Sequence, residues 1–179
     1  MTISLTKSAK NGRININKHL YIAIAASGSG KSTLAKKLKE EQPDLVICSA
    51  DTFFVQPDGS YKFSPGRLKD AHEDCQFKAQ VALSKGLSVY VDNTNTIWEH
   101  FEIYIRYAAV YGHKIVFKLF DVPKEKLPVL VARNVHSVPE KSIERQWQGI
   151  QELKKTLTRH MKSRFEGVEF VVEKIHLAE

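Results

Sequence analysis

The sequence predicts an α/β fold: a mostly parallel sheet of about five strands with helices on both faces. Three observations predict it. Short apolar runs alternate along the chain with segments of helical periodicity, two of those runs end on an aspartate, and a glycine-containing turn joins the first run to the first helical segment. Parallel neighbours need crossover connections, which the interposed helices supply. In such sheets functional groups collect at the C-terminal ends of strands. With 179 residues, 42% hydrophobic and 26% charged, the chain has the material for one core and is neither a disordered segment, a collagen nor a repeat array.

The elements follow in order. Residues 20–26 (LYIAIAA) form the first strand, and residues 31–39 (KSTLAKKLK) the first helix, stopped by Gln42, Pro43 and Asp44. Residues 45–50 are a second strand running into Asp51, and turn residues at 56–59 and 64–66 mark a loop. Leu68, Ala71, Cys75, Ala79 and Ala82, spaced by three and four, define a helix that ends at Lys85 and Gly86. Residues 87–91 make a strand into Asp92, residues 98–111 a helix, 115–120 a strand and 124–133 a short helix. Ile143, Trp147, Ile150, Leu153, Leu157 and Met161 line one face of a long helix, and residues 168–173 close the sheet. Residues 1–19 are an N-terminal arm or an extra edge strand, because Ile14 and Ile16 alternate with Asn15 and Asn17; residues 20–179 are one domain.

Charge is uneven. Of a net +7, residues 123–164 carry ten Lys or Arg against four Glu, and residues 1–20 add Lys7, Lys10, Arg13 and Lys18 with no acid. Such a balance suits a polyanionic partner, although charge runs also occur as solvated helix faces. No apolar run approaches the roughly 20 residues that span a bilayer, and the first ten residues lack the apolar stretch of a secretory signal. The chain therefore reads as soluble and cytoplasmic, without a membrane partner. Cys48 and Cys75 fit no zinc spacing and read as buried, reduced thiols.

Between the first strand and the first helix, residues 25–32 (AASGSGKS) have the composition of a phosphate-binding loop. Ser27, Gly28, Ser29 and Gly30 offer backbone N–H groups to a triphosphate, Lys31 a point charge near the β and γ phosphates, and Ser32 a hydroxyl for Mg²⁺, with Thr33 following. Ala25 stands where the usual pattern begins with glycine. Asp92, at a strand end, suits the support of that Mg²⁺. Asn95 either orients phosphates and metal waters or caps the following helix. Asp51 is placed to accept a proton from an incoming hydroxyl, or else to cap a turn. It is expected on the strand beside the nucleotide strand. Arg133 and His136 lie in a basic segment near 133–140 that reads as a closing lid, followed by Lys141 and Arg145; Arg133 also fits a surface helix end. Phe53, Phe54, Tyr61 and Phe63 either stack a base at the acceptor mouth or anchor the loop to the core.

Taken with residues 27–33 (SGSGKST), 49–51 (SAD), 71–72 (AH), 91–95 (VDNTN), 120–123 (FDVP), 133–134 (RN) and 138–139 (VP), these features resemble the 5′-polynucleotide kinase family of P-loop phosphotransferases over roughly residues 20 to 155. They also resemble the kinase-like domain of cyclic-nucleotide phosphodiesterases. The resemblance implies a kinase that uses ATP and Mg²⁺ to phosphorylate 5′-hydroxyl ends of DNA or RNA. It implies Lys31 and Ser32 as nucleotide and metal contacts, Asp51 as general base, Asp92 as the metal-side carboxylate and Arg133 as part of the lid. Phe54 stands where bacteriophage-type enzymes have an acceptor-contacting arginine, and His136 and Ser137 replace several basic lid residues, so the lid arginine is Arg133, Arg145 or neither. The leading expectation is a stand-alone polynucleotide kinase module. The alternatives are a kinase for a nucleoside, nucleotide or modified-base hydroxyl, and a non-catalytic ATP-binding interaction module.

Overall fold

A computed structural model describes residues 18–177. Of the arm or edge strand expected over residues 1–19, residues 1–17, with Lys7, Lys10 and Arg13, lie outside the described residues, and His19 already belongs to β1. In chain order the elements are β1 (His19–Ile24), α1 (Lys31–Glu41), β2 (Val46–Cys48), α2 (Leu68–Ser84), β3 (Val89–Val91), α3 (Glu102–Tyr111), β4 (Lys114–Phe120), α4 (Leu127–Arg133), α5 (Glu140–Arg164) and β5 (Phe170–Ile175). The five strands form one parallel sheet in the order β2-β3-β1-β4-β5. Leu20 of β1 stands opposite Val89 on one side and Ile115 on the other.

Alternation along β1 divides the apolar side chains between the two faces of the sheet. Leu20, Ile22 and Ile24 join a core with buried residues of α2, α3, α4 and α5, whereas Tyr21 and Ala23 face Ala35 of α1 together with Leu45, Tyr90 and Val116. The long helix α5 buries Ile143, Ile150, Leu153, Leu157 and Met161, one stripe at helical spacing, in the larger core. Among the described residues, no helix is long and apolar enough to cross a membrane.

Several boundaries differ from expectation for local reasons. Residues 49 and 50 leave β2 because a 3₁₀ turn, Ala50–Phe54, begins there: the Asp51 N–H donates to Ser49 Oγ (3.2 Å), and Thr52 Oγ1 donates to the Ser49 carbonyl (2.7 Å). The helix expected over 98–111 is a 3₁₀ turn, Trp98–His100, followed by α3, with Phe101 (φ −133°) breaking between them. Residues 124–126 are likewise 3₁₀, and α4 starts where Pro128 occupies a first-turn position. The last strand lies two residues later than expected because Gly167 (φ +79°) turns the chain first.

One topological expectation is corrected. The strand beside β1 is β3, and β2 is at the sheet edge. Asp92, which follows β3, is therefore the carboxylate on the neighbour of the nucleotide strand, and Asp51 sits in the 3₁₀ turn one strand further out. Cys48 and Cys75 are both free and buried. The Cys75 sulfur accepts from the Tyr104 hydroxyl (3.4 Å) and Asn93 Nδ2 (3.5 Å), and burial, reinforced by neighbouring Cys75, pushes the Cys48 thiol up to about 12.

Candidate active site

The turn between β1 and α1 is held from three sides. The Ala25 N–H donates to the Thr94 carbonyl (2.9 Å), so the residue that replaces the usual first glycine is tied to the loop after β3 and its methyl is fully buried. The Ser27 N–H donates to Gln146 Oε1 of α5 (2.8 Å). Gly28 lies against α4: a Cβ there would come 2.1 Å from the Leu130 carbonyl oxygen, and its φ of +79° disfavours any side chain. Gly30, with φ +91°, opens α1, and the Leu34 N–H donates back to its carbonyl (3.0 Å). Lys31 and Ser32 then start the helix, so the loop's N–H groups and the positive end of α1 face one concavity. Ser29 is buried with Oγ unpartnered, and Thr33 is exposed on the first turn.

Asp92 lies beside this loop, close enough to interact with Lys31 and Ser32. It is 7% exposed, its Oδ1 is buried with no partner, and the Ser32 hydroxyl lies close enough to stabilise its carboxylate. Burial raises its pKa above the ordinary carboxylate range; the nearby Lys31 ammonium and Ser32 hydroxyl oppose this, and Asp51 adds to it. An unpartnered buried oxygen beside a serine hydroxyl is an oxygen donor set suited to a hard divalent cation such as Mg²⁺, which takes one or two carboxylates and completes its shell with phosphates and water. Among the described residues there is no cluster of three or more His, Cys, Asp or Glu that would hold a metal without such a ligand.

Asp51 has a side chain 45% exposed at the mouth of the crevice. The chain after it folds back as a hairpin: turn residues 56–59 bring Val55 opposite Tyr61, and the Lys62 N–H donates to the Phe54 carbonyl (2.9 Å). That return delivers the Tyr61 hydroxyl to Asp51 Oδ1 (3.3 Å). Burial, then the neighbouring Asp51 carboxylate, push the Tyr61 phenol up to about 12, so it stays a donor. His136, from the segment between α4 and α5, lies with Nε2 3.8 Å from Asp51 Oδ2 and its ring 4.9 Å from that of Tyr61. Asn134 shapes this segment, accepting from the His136 N–H (3.2 Å) and donating to the Val138 carbonyl (2.8 Å), with Ser137 at φ +53°. His72 of α2 is close enough to feel Asp51, although burial dominates and lowers its pKa.

Two expected substrate contacts lie elsewhere. Phe54, expected at the acceptor, is 3% exposed, packed edge-on against Phe53, Tyr61 and Phe63, so it anchors the hairpin rather than lining the mouth; Tyr61 (37%) and Phe63 (52%) are the exposed rings. Asn95 neither caps the following turn, whose N-cap Ile97 has no side-chain cap bond, nor opens to the crevice. It is 1% exposed at φ +48°, and its Nδ2 donates to the Ala23 carbonyl (2.8 Å), tethering the loop after β3 to β1. Arg133 ends α4 one turn beyond Leu130, and Arg145 is exposed on the rim of an open cleft of about 820 Å³ between α5 and the Thr96–His100 turn. Gln146 and Tyr61 carry no motif. Gln146 shares no local pattern with Ser27, 119 positions away, whereas for Tyr61 the signal was the turn at 56–59, which folds the chain back on Asp51.

The profile of a family described as AAA domain matches residues 20–153. NEDD4-binding protein 2 of Homo sapiens is 37% identical over 133 residues, which is 70% of this chain and 7% of that protein. A chain of the Pnkp1/Rnl/Hen1 RNA repair complex superposes with a TM-score of 0.64 at 25% identity, covering 78% of this chain and 46% of the other. A sugar kinase from Janibacter sp. HTCC2649 shares the fold, with a TM-score of 0.53 at 16% identity, over 88% of this chain and 84% of that one. The chain thus spans less than half the length of the first two relatives.

Proposed function

The chain belongs to the AAA domain family as a polynucleotide-kinase-like P-loop domain, and from that premise we propose that it transfers the γ-phosphate of ATP to the 5′-hydroxyl end of DNA or RNA. The observation that carries the reading is a pair of carboxylates: Asp92, just after β3, against Lys31 and Ser32, and Asp51, in the 3₁₀ turn after β2, exposed and near enough for the two to act on one another. A module that only binds nucleotide needs no exposed base beside its phosphate loop; a kinase does.

In this reading the loop N–H groups from Ser27 to Thr33 and the start of α1 hold the phosphates, and Lys31 places its charge against them. Ser32 and Asp92 would hold Mg²⁺, which when bound neutralises charge on the phosphates. Asp51 accepts the acceptor's hydroxyl proton as that oxygen bonds to the γ-phosphorus. The bond from phosphorus to the β–γ bridging oxygen breaks, leaving ADP and a 5′-phosphorylated end. In the same reading residues 133–140 are the lid over a single kinase unit spanning 20–179, with Arg133 or Arg145 supplying charge to the migrating group.

The test is transfer of labelled γ-phosphate, with Mg²⁺, to 5′-hydroxyl DNA, 5′-hydroxyl RNA, nucleosides and nucleotides. Label on the oligonucleotides is expected, with Asp51→Asn lowering turnover by at least 10²-fold while ATP still binds. Label on small molecules alone moves the acceptor to a nucleoside, nucleotide or modified base, and ATP binding with no transfer marks an interaction module.

A further inference from the structure

The mouth of the crevice holds one contact that catalysis does not explain. Oδ1 of Asp51 is engaged by the Tyr61 hydroxyl, and Oδ2 faces His136. Because Oδ1 already accepts from Tyr61, Oδ2 is the oxygen better placed to take the acceptor's proton, and the imidazole Nε2 lies 3.8 Å from it. The same imidazole lies against the Tyr61 ring, the two ring planes tilted by 38° with centroids 4.9 Å apart. His136 thus presents, in one side chain, a flat aromatic ring on Tyr61 and a polar group at the oxygen that receives the proton. The terminal nucleoside of an acceptor has these same two features, a flat base and a 5′-hydroxyl. The hairpin is braced for such a load: Tyr61 rests edge-on against buried Phe54, which in turn packs on Phe63.

Resting on the kinase reading above, we propose that Tyr61 is the stacking contact for the acceptor's terminal base, and that His136 holds its place until the acceptor displaces it. Every base offers a π face and a sugar alcohol has none, so Tyr61 favours a nucleoside end without reading its sequence. It also supplies acceptor affinity at a hairpin whose Phe54 is committed to packing. His136 then competes with the acceptor rather than clamping the transferring phosphate.

The experiment is steady-state transfer from ATP to a 5′-hydroxyl oligonucleotide by the wild-type chain, Tyr61→Leu, Tyr61→Phe, His136→Ala and the Tyr61→Leu/His136→Ala double variant. Tyr61→Leu is expected to raise the acceptor KM about tenfold, in keeping with the loss of one stacked base. Tyr61→Phe keeps the ring and loses the hydroxyl, so its defect falls on kcat. His136→Ala lowers the acceptor KM severalfold, and that gain disappears in the double variant because there is no longer a ring to contest. A His136→Ala loss confined to kcat, with KM unmoved, overturns the proposal and makes His136 a clamp. Wild-type transfer with the same acceptor KM in all variants overturns it while leaving the kinase reading standing; a wild-type chain that transfers nothing overturns both.

Discussion

Asp92 is the residue at which stability and chemistry conflict. Its carboxylate is buried with one oxygen unpartnered, and its pKa is raised, mainly by burial. The raised pKa means that the folded chain holds this proton more tightly than the unfolded one. The resulting stability is complete at pH below the ordinary aspartate range and is lost as pH rises through the folded-state value. At neutral pH Asp92→Asn should therefore stabilise the ligand-free chain by about 1–3 kcal/mol, the cost of an unsatisfied buried group. Denaturant unfolding at pH 7 and again in acid checks this: the gap closes in acid. Mg²⁺ with ATP should raise Tm in the wild type and far less in the variant. This residue was legible in the sequence because an apolar strand runs straight into it. Phe54 was not, since its burial depends on a hairpin that closes over it from residues 55 to 63. Asn95 was half legible: an asparagine at φ +48° is a turn residue, but its bond to Ala23, 72 positions away, leaves no local trace.

At the scale of elements, the phosphate loop is fixed by its neighbours more than by itself. The loop after β3 binds it at Ala25, α5 binds it at Ser27 through Gln146, and α4 presses a backbone carbonyl against Gly28. Gly28→Ala meets both the Leu130 oxygen and a positive φ, so either α4 retreats or the loop deforms. We expect a loss of about 1–3 kcal/mol in stability, seen as a lower thermal midpoint, together with at least tenfold weaker ATP binding by titration. The helices were well legible because their apolar spacing persists over many residues. Strand ends were less so: Ser49 and Ala50 read as a continuation of β2, yet hydroxyl bonds at Ser49 and Thr52 give the backbone a competing 3₁₀ turn. The position of β2 at the sheet edge was not legible at all, because periodicity reports which face a residue uses and says nothing about which strand lies next to it.

For the whole molecule, the number of basic residues on α5 overstates how many free cations a polyanion meets there. Lys154 binds Asp121 (2.5 Å), Lys155 binds Glu152 (2.7 Å), and Arg164 pairs with Glu102 (3.4 Å) while its guanidinium lies over Trp98. The basic run on α5 is thus partly spent within the fold. On the polynucleotide reading, oligonucleotide affinity should fall only gently with salt. Arg145→Ala should flatten the log K against log[salt] slope by about 0.7, one phosphate on a single strand, while Lys154→Ala leaves the slope in place. Fluorescence anisotropy across a salt series measures both. The buried thiols have a practical consequence at this same scale. Cys48 and Cys75 are both inside and Cys48 ionises only near 12, so a thiol-directed dye leaves the native chain unlabelled. A cysteine placed at Val135, 84% exposed and next to His136, would be the one reactive handle, making the chain ready for a fluorescent reporter at the mouth without first stripping its own cysteines.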